Sequence, residues 1–173
     1  MFDYIIVGAG SAGCLLANRL SVNPANRVCL IEAGPRDGFL IRNCNPLNML
    51  ALMKSRTYNW GYSAEPQART GNRRFFWPRG RALGGSSSIN AMIYTRGHPS
   101  DYDQWAARGT PGWDYQSVLP YFRCSERQQR GADAWHGADG PLNVMDLRSP
   151  TRFGPLFAQA GQQAGFPINA DFN

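Results

Sequence analysis

The first 32 residues show a pattern of apolar and polar positions that predicts a strand, a helix and a second strand. Residues 2–7 form a mostly apolar run that indicates a buried strand, and residues 27–32 form another. Between them, residues 11–21 place Leu16 and Leu20 on one face of a helix. Parallel strands joined by a helix cross over with a right hand. We therefore predict an α/β fold, α+β overall, that begins with a parallel βαβ unit.

The rest of the chain alternates short extended and helical segments, without repeats or low-complexity tracts. Turn-forming residues at 70–72 separate two extended segments, and the polar stretch 127–140 predicts a loop. The other predicted segments are a short helix near 47–54, extended segments at 58–65 and 73–77, an apolar segment at 89–94, helices at 101–107, 115–125 and 151–164, and a strand at 142–145.

A glycine motif, G-x-G-x-x-G, stands between the first predicted strand and the first predicted helix. Gly8 permits a sharp turn, Gly10 lets the backbone approach a diphosphate, and Gly13 lets the helix pack closely on the strand. Free N–H groups at the start of the helix then favour the phosphates. Glu32 closes the second strand, 19 residues after Gly13 (32 − 13), where a carboxylate accepts hydrogen bonds from ribose hydroxyls. The predicted dinucleotide-binding residues of this part are Gly8, Gly10, Ser11, Ala12, Gly13, Glu32 and Ala33.

The identity of the dinucleotide follows less directly from these residues. A glutamate rather than an arginine at position 32 disfavours the 2′-phosphate of NADP. FAD and NAD both fit the turn and the carboxylate. The continuation Glu32-Ala33-Gly34, and the place of the motif at the amino terminus, resemble FAD-binding proteins. An NAD-dependent dehydrogenase is the alternative.

A second glycine-rich segment begins with residues 80–85 and leads into the apolar segment at 89–94. Gly84 and Gly85 allow positive φ and a close approach of the backbone to a ligand. Ser86 and Ser87 add hydroxyl and N–H groups at the start of a helical turn, which suits a phosphate or a flavin. We predict that Arg81 contacts the diphosphate, with a solvent-facing arginine as the alternative.

Residues 80–103 resemble the first signature of the glucose–methanol–choline (GMC) oxidoreductases. The resemblance covers essentially the whole chain and is greatest to acceptor-dependent alcohol and choline dehydrogenases. The segments that carry it are Trp77-Pro78-Arg79-Gly80, Arg81-Ala82-Leu83-Gly84-Gly85-Ser86-Ser87-Ser88-Ile89-Asn90-Ala91-Met92, Asp101-Tyr102-Asp103-Gln104-Trp105, Trp135-His136-Gly137 and Gly140-Pro141-Leu142.

This resemblance implies an FAD-dependent enzyme that oxidises an alcohol to an aldehyde or ketone by hydride transfer to the flavin N5. It implies a Rossmann-like FAD-binding domain over residues 1–140 and the beginning of a substrate-binding domain over 141–173. Ile89 stands where some relatives attach the flavin through a histidine, so the resemblance implies non-covalent FAD. The residues expected to line the FAD in this part of the chain are Arg81, Gly84, Gly85, Ser86, Ser87, Asn90, Ala91 and Met92.

No catalytic base is expected within these residues. In the family the base is a histidine near the carboxyl end, so a matching residue is expected past Asn173. His98 and His136 are predicted to be structural, and Tyr94 and Asp103 to serve in packing or capping. The chain alone is therefore expected to be inactive. The alternative function is a non-catalytic, truncated remnant that at most binds FAD.

Composition narrows the partners and the compartment. The net charge is +6, but the basic residues are scattered apart from a cluster at 69–81, so no nucleic acid is expected. No apolar run approaches the roughly 20 residues of a membrane span, and the first residues are unlike a signal peptide. We expect a cytoplasmic protein, with a peripheral position at the inner face of a membrane left open. The expected partners are a small-molecule alcohol and an electron acceptor, a quinone or another.

The four cysteines and two histidines show no metal-ligand spacing. We therefore expect no metal site, and we expect the cysteines to be reduced core residues.

Overall fold

The computed structural model describes residues 1–36, 38 and 46–173, for residues 46 and 47 the backbone alone. The chain divides into two compact units, Met1–Ile93 and Tyr94–Asn173. The predicted domain boundary at residues 140 and 141 stays a prediction. The elements of the first unit are β1 (Tyr4–Val7), α1 (Ser11–Leu20), β2 (Val28–Ile31), α2 (Pro46–Lys54), β3 (Tyr62–Ser63) and β4 (Phe76–Trp77), with 3₁₀ turns at Ala68–Thr70 and Gly85–Ser88; those of the second are α3 (Pro99–Ala107), α4 (Tyr115–Ser125), β5 (Glu126–Gln128), β6 (Leu142–Val144) and α5 (Phe153–Gln163).

The first unit begins with the βαβ arrangement that the sequence predicts. β1 and β2 pair in parallel over four residues, from Tyr4 opposite Val28 to Val7 opposite Ile31. α1 connects the two strands and contacts both. The parallel pairing confirms the predicted α/β topology.

The prediction that β1 is buried is wrong for the described part of the chain. Ile5 is 62% exposed and Val7 is 83% exposed, and Leu16 on α1 is exposed as well. A strand of a parallel sheet is buried only when layers cover both of its faces. The described residues supply only part of that cover, so the apolar run is correct as a strand signal but not as a sign of burial here.

A hairpin follows α2 in the first unit. β3 and β4 pair antiparallel, with Tyr62 opposite Trp77 and Ser63 opposite Phe76. Between them, Gly71 and Asn72 adopt left-handed φ angles of 64° and 55°. This confirms the predicted turn, although the ladder is shorter than the extended segments that the sequence indicates.

Capping residues define the two helices that open the second unit. His98 is the N-cap of α3: its Nδ1 accepts from the N–H of Ser100, while Asp101 accepts from the N–H of His98. Asp114 is the N-cap of α4, where its carboxylate accepts from the N–H and the hydroxyl of Ser117. The hydroxyl holds the pKa of Asp114 below its usual value, and the N–H adds to this effect.

The prediction of a polar loop at 127–140 is wrong for its first residues, because residues 127 and 128 belong to β5, which pairs in parallel with β6. Glu126 and Gln128 are buried while Arg127 is exposed, so the strand alternates with polar residues facing inward. A pattern of alternating apolar and polar residues does not reveal such a strand, because its buried residues are polar as well. The inward-facing residues are hydrogen-bonded, which offsets part of the cost of burying them.

Glu126 is the centre of this buried polar network. Its Oε2 lies 2.5 Å from Nη2 of Arg96, and the two side chains are 0% and 2% exposed. Nδ1 of His136 lies 3.1 Å from both carboxylate oxygens and therefore donates to them. Arg96 also donates from Nη1 to the carbonyl of Trp135 at 2.7 Å. The contact of His136 with Glu126 fits the predicted structural role of that histidine.

The cysteine prediction is correct in part. Cys14, Cys29 and Cys124 are free thiols, and Cys44 lies outside the described residues. Cys14 and Cys29 are half-buried, but Cys124 is exposed and is not a core residue.

Candidate dinucleotide-binding site

The first glycine loop is shaped by backbone contacts that exclude side chains. Gly8 has φ +94°, and its N–H donates to the carbonyl of Ile31 at 2.8 Å, at the end of β2. A Cβ added to Gly13 would lie 2.0 Å from the carbonyl oxygen of Gly8. The turn and the close packing of α1 therefore require glycine at both positions, as the motif predicts.

Gly10 differs from these two glycines, because the folded chain would tolerate a side chain there. Its φ of −78° suits any residue, and a Cβ on it would meet no described atom within 4 Å. As N-cap of α1 it offers no side chain, so the first N–H groups of the helix have no capping partner in the described structure. The positive end of α1, with Ser11 and Ala12 in its first turn, therefore opens onto space that suits an anion.

Glu32 fastens the first glycine loop to the turn after β2. Its Oε2 accepts from the N–H of Ala9 at 2.8 Å, and its Oε1 accepts from the N–H of Gly34 at 2.9 Å. Each carboxylate oxygen can accept a further hydrogen bond, so the side chain can still receive ribose hydroxyls. Ala33 is exposed beside it. The structure thus adds a positioning role to the ligand role that the sequence predicts.

The second glycine segment packs directly on the first loop. The N–H of Gly84 donates to the carbonyl of Ala9 at 2.7 Å. A Cβ on Gly85 would lie 2.8 Å from the Cα of Gly10, and Gly85 itself has φ +56°. The hydroxyls of Ser11 and Ser87 are hydrogen-bonded to each other. Two motifs about 75 residues apart in the sequence therefore form one continuous backbone surface.

A third contact fixes the same segment and involves Gly34 and Pro35, which are not among the predicted binding residues. A Cβ on Gly34 would lie 2.0 Å from the carbonyl oxygen of Arg81, and the N–H of Leu83 donates to the carbonyl of Pro35 at 3.1 Å. The signal available in the sequence is the Gly34-Pro35 pair, which begins two residues after Glu32. Glycine there permits contact between two backbones.

The predicted flavin-side residues Asn90, Ala91 and Met92 form a tight turn at the end of the first unit. Oδ1 of Asn90 accepts from the N–H of Met92 at 2.9 Å. Met92 has φ +56°, an uncommon conformation for a side chain of this size. Met92 is also 62% exposed. The turn is held by its own hydrogen bond, and its side chains are accessible to a ligand.

Arg81 and Ser86 are engaged within the protein. Arg81 donates from Nε to the carbonyl of Thr57 at 3.2 Å and from Nη2 to that of Arg56 at 3.0 Å. Oγ of Ser86 accepts from the N–H of Gly80 at 3.1 Å. Two of the guanidinium donors of Arg81 are thus occupied, and its contact with a diphosphate stays a prediction.

Within the described ranges, no group of three or more His, Cys, Asp or Glu residues could hold a metal ion. None of the helices formed within these ranges is long and apolar enough to cross a membrane.

A parallel βαβ unit, a glycine turn at a helix start and a carboxylate closing the second strand define an α/β dinucleotide-binding domain of the Rossmann type. The family described as GMC oxidoreductase matches residues 2–173, and the chain belongs to this family. The predicted family and fold class are therefore confirmed.

Curated relatives agree with this assignment. The chain is 48% identical over 174 residues to "Alcohol dehydrogenase [acceptor]" of Pseudomonas putida, covering 100% of this chain and 31% of the relative. It is 45% identical over 178 residues to "Choline dehydrogenase, mitochondrial" of Homo sapiens, covering 99% of this chain and 30% of the relative. The chain thus spans about a third of the length of these relatives.

Among solved structures, pyridoxine 4-oxidase from Mesorbium loti superposes with a TM-score of 0.85 at 42% identity, over 96% of this chain and 33% of that one. An FAD-dependent oxidoreductase from Chaetomium thermophilum superposes with a TM-score of 0.82 at 32% identity, over 99% of this chain and 31% of that one.

Proposed function

We propose that the chain binds one FAD non-covalently and forms part of an alcohol- or choline-type dehydrogenase. The observation that carries the proposal is the hydrogen bond from the N–H of Gly84 to the carbonyl of Ala9 at 2.7 Å. It joins a diphosphate-binding turn to the segment that the family resemblance assigns to the flavin. One extended ligand, whose central diphosphate links an adenosine to a flavin ring system, fits such a surface.

Each part of the site has a role in this proposal. The uncapped start of α1, with Ser11, Ala12 and Gly13, holds the diphosphate through N–H groups and the helix dipole. Glu32 and Ala33 lie at the adenosine ribose. The second segment runs beside the flavin, with the ligand-facing residues Arg81, Gly84, Gly85, Ser86, Ser87, Asn90, Ala91 and Met92.

Non-covalent attachment is supported by Ile89, a buried aliphatic side chain without a nucleophilic atom. Bound FAD would supply a hydride acceptor for the oxidation of an alcohol. The described residues orient that group, and we assign no catalytic base among them. Residues 1–140 are proposed as FAD-binding and 141–173 as the beginning of the substrate-binding domain.

The substrate and the acceptor are proposed by class. The relatives named above support an alcohol or choline as donor and a separate acceptor, a quinone or another, for electrons. We propose a cytoplasmic protein that meets a membrane-dissolved acceptor at the inner face of a membrane.

The sharpest test of FAD binding is Gly10→Ala, because the fold has room for the methyl group. The substitution should leave thermal unfolding without ligand unchanged. The methyl group should hold the diphosphate away from the N–H groups at the start of α1. Because a hydrogen bond to a charged group contributes about 1.5–3 kcal/mol, FAD binding should weaken about tenfold to a hundredfold. Quenching of flavin fluorescence measures the affinity.

Gly161→Ala, in α5, is the matched control, because its added Cβ also meets no described atom within 4 Å. It should retain the parent affinity. Equal FAD affinity in the parent and in Gly10→Ala would contradict the proposal.

A further inference from the structure

One surface of the first unit is not used by the dinucleotide site. The hairpin of β3 and β4, residues 58–79, contains four arginines and one glutamate, a net charge of +3 (4 − 1) within a chain of net charge +6. Arg74 lies 3.7 Å from that acid, Glu65, and both are exposed. Four of the five arginines in the basic cluster therefore belong to the hairpin, and the fifth, Arg81, lies in the second glycine segment.

The hairpin presents aromatic rings and guanidinium groups together on one face. Tyr62 is opposite Trp77 across the ladder, and Trp60 and Phe75 lie two residues from them on the same face. The four rings are 38–51% exposed. Cζ of Arg73 lies 5.0 Å from the ring centre of Phe75, and Cζ of Arg79 lies 5.1 Å from that of Trp77. We call this set the aromatic–arginine face: Trp60, Tyr62, Arg73, Phe75, Trp77 and Arg79.

We propose that the aromatic–arginine face binds the surface of an anionic lipid bilayer. Tryptophan and tyrosine combine an apolar ring with a polar atom and are enriched at the boundary between lipid and water. Arginines beside them are attracted to anionic headgroups. This inference rests on the proposed function, because lipid binding would give the enzyme access to a membrane-dissolved acceptor. Lipid binding itself can be measured without flavin.

Two other partners fit this face less well. Nucleic acid binds to aromatic surfaces by stacking bases on free ring faces. Here guanidinium groups cover one face of Phe75 and one of Trp77, while Trp60 and Tyr62 stack on each other with ring centres 6.0 Å apart. A second copy of the chain that met this face with its own would bring +3 against +3, which is repulsive. Charge complementarity therefore favours an anionic lipid surface.

The test is sedimentation of the protein, at its full natural length, with phosphatidylcholine vesicles that contain or lack phosphatidylglycerol. We expect binding only to the anionic vesicles, and less of it as salt is raised. The double variant R73Q/R79Q should bind about 25-fold more weakly, since each arginine near an anionic surface contributes about fivefold, or about 1 kcal/mol. Trp77→Ala should also weaken binding, which a purely electrostatic attraction would not show.

R148Q/R152Q is the matched control, because it removes two exposed arginines outside the hairpin and changes the net charge equally. It should bind near the parent level. Absence of binding to anionic vesicles, an equal loss in both double variants, or hairpin-dependent binding of a labelled RNA in place of vesicles would each overturn the inference. FAD titration of R73Q/R79Q should match the parent. Loss of FAD binding with intact vesicle binding would reject the proposed function and leave this inference standing.

Discussion

The amide of Gly84 and the carbonyl of Ala9 are joined by a hydrogen bond of 2.7 Å between two loops that are distant in the sequence. Ala9 is fully buried by this packing, and Gly85 lies against the Cα of Gly10. A bond between buried backbone groups is costly to leave unmade. The relative position of the two loops is therefore set by the backbone, and ligand contacts on either loop depend on both.

Glu32→Gln should affect both the loop and the ligand. The carboxylate accepts from the N–H groups of Ala9 and Gly34, and an amide would present an NH₂ donor to one of them. We expect a loss of about 1–3 kcal/mol in the free energy of unfolding, and weaker FAD binding. Chemical denaturation and flavin titration measure the two effects. Asp139→Asn, at an exposed acid of the second unit, should change neither.

Gly13→Ala should destabilise the first unit even without ligand. The added Cβ would lie 2.0 Å from the carbonyl oxygen of Gly8, so α1 or the loop must move. We expect a cost of about 1–3 kcal/mol, measured by thermal or denaturant unfolding. Gly161→Ala in α5 should instead raise stability by up to about 1 kcal/mol, because alanine is the better helix former. Equal stability of the two variants would contradict the close packing of α1 on the loop.

The buried pair of Arg96 and Glu126 should be sensitive to removal of one partner. Glu126→Gln leaves the guanidinium without its carboxylate in a site that is 2% exposed, at a cost of about 3–5 kcal/mol. The double variant R96M/E126Q should lose less than this single variant, because no unpaired charge stays buried and the amide oxygen still accepts from Nδ1 of His136. Thermal unfolding compares them. Glu65→Gln, which removes an exposed partner of Arg74, should cost less than about 1 kcal/mol.

Acid should destabilise the second unit through carboxylates whose pKa values are lowered. The N–H of Trp135 is the largest cause of the lowered pKa of Asp133. Burial raises the pKa of Asp171, but the N–H of Asn173 and the guanidinium of Arg130 outweigh it, so that this pKa is also lowered. A folded-state pKa below the unfolded value of about 3.9 gives stability that is present above that value and lost as the pH falls through the folded pKa.

The melting temperature should therefore fall steadily as the pH is lowered from about 5 to about 2. Asp133→Asn keeps the acceptor oxygen but removes the titration, so its melting temperature should vary less over that range. An unchanged pH profile in this variant would exclude Asp133 as a source of acid sensitivity.

The 173-residue chain expressed by itself should self-associate. The aromatic rings of Phe153, Phe157 and Phe172 are 77%, 84% and 84% exposed. Exposed apolar surface of this kind favours association. Binding of a hydrophobic dye and size-exclusion chromatography measure the effect, and Phe157→Gln should reduce both dye binding and association. A monomer with a sharp two-state melt would contradict this expectation.

The sequence by itself determined the local features of this protein. The spacing of Gly8, Gly10 and Gly13, with Glu32 at the end of the second strand, indicated the βαβ unit and its ligand class. These features depend on residues close in the chain, whose conformations are set by steric limits and helix or strand periodicity. The family resemblance rested above all on a similarly local segment, residues 80–103, with shorter segments around it.

Tertiary structure alone decided which distant residues meet. It placed Gly84 on Ala9, turned Arg81 towards the carbonyls of Arg56 and Thr57, and buried the polar strand of Glu126 beside Arg96. Polar side chains and backbone groups can pair with many partners, so a sequence pattern does not choose among them. The choice is made when the chain folds, because each buried polar group must find a partner within hydrogen-bond distance.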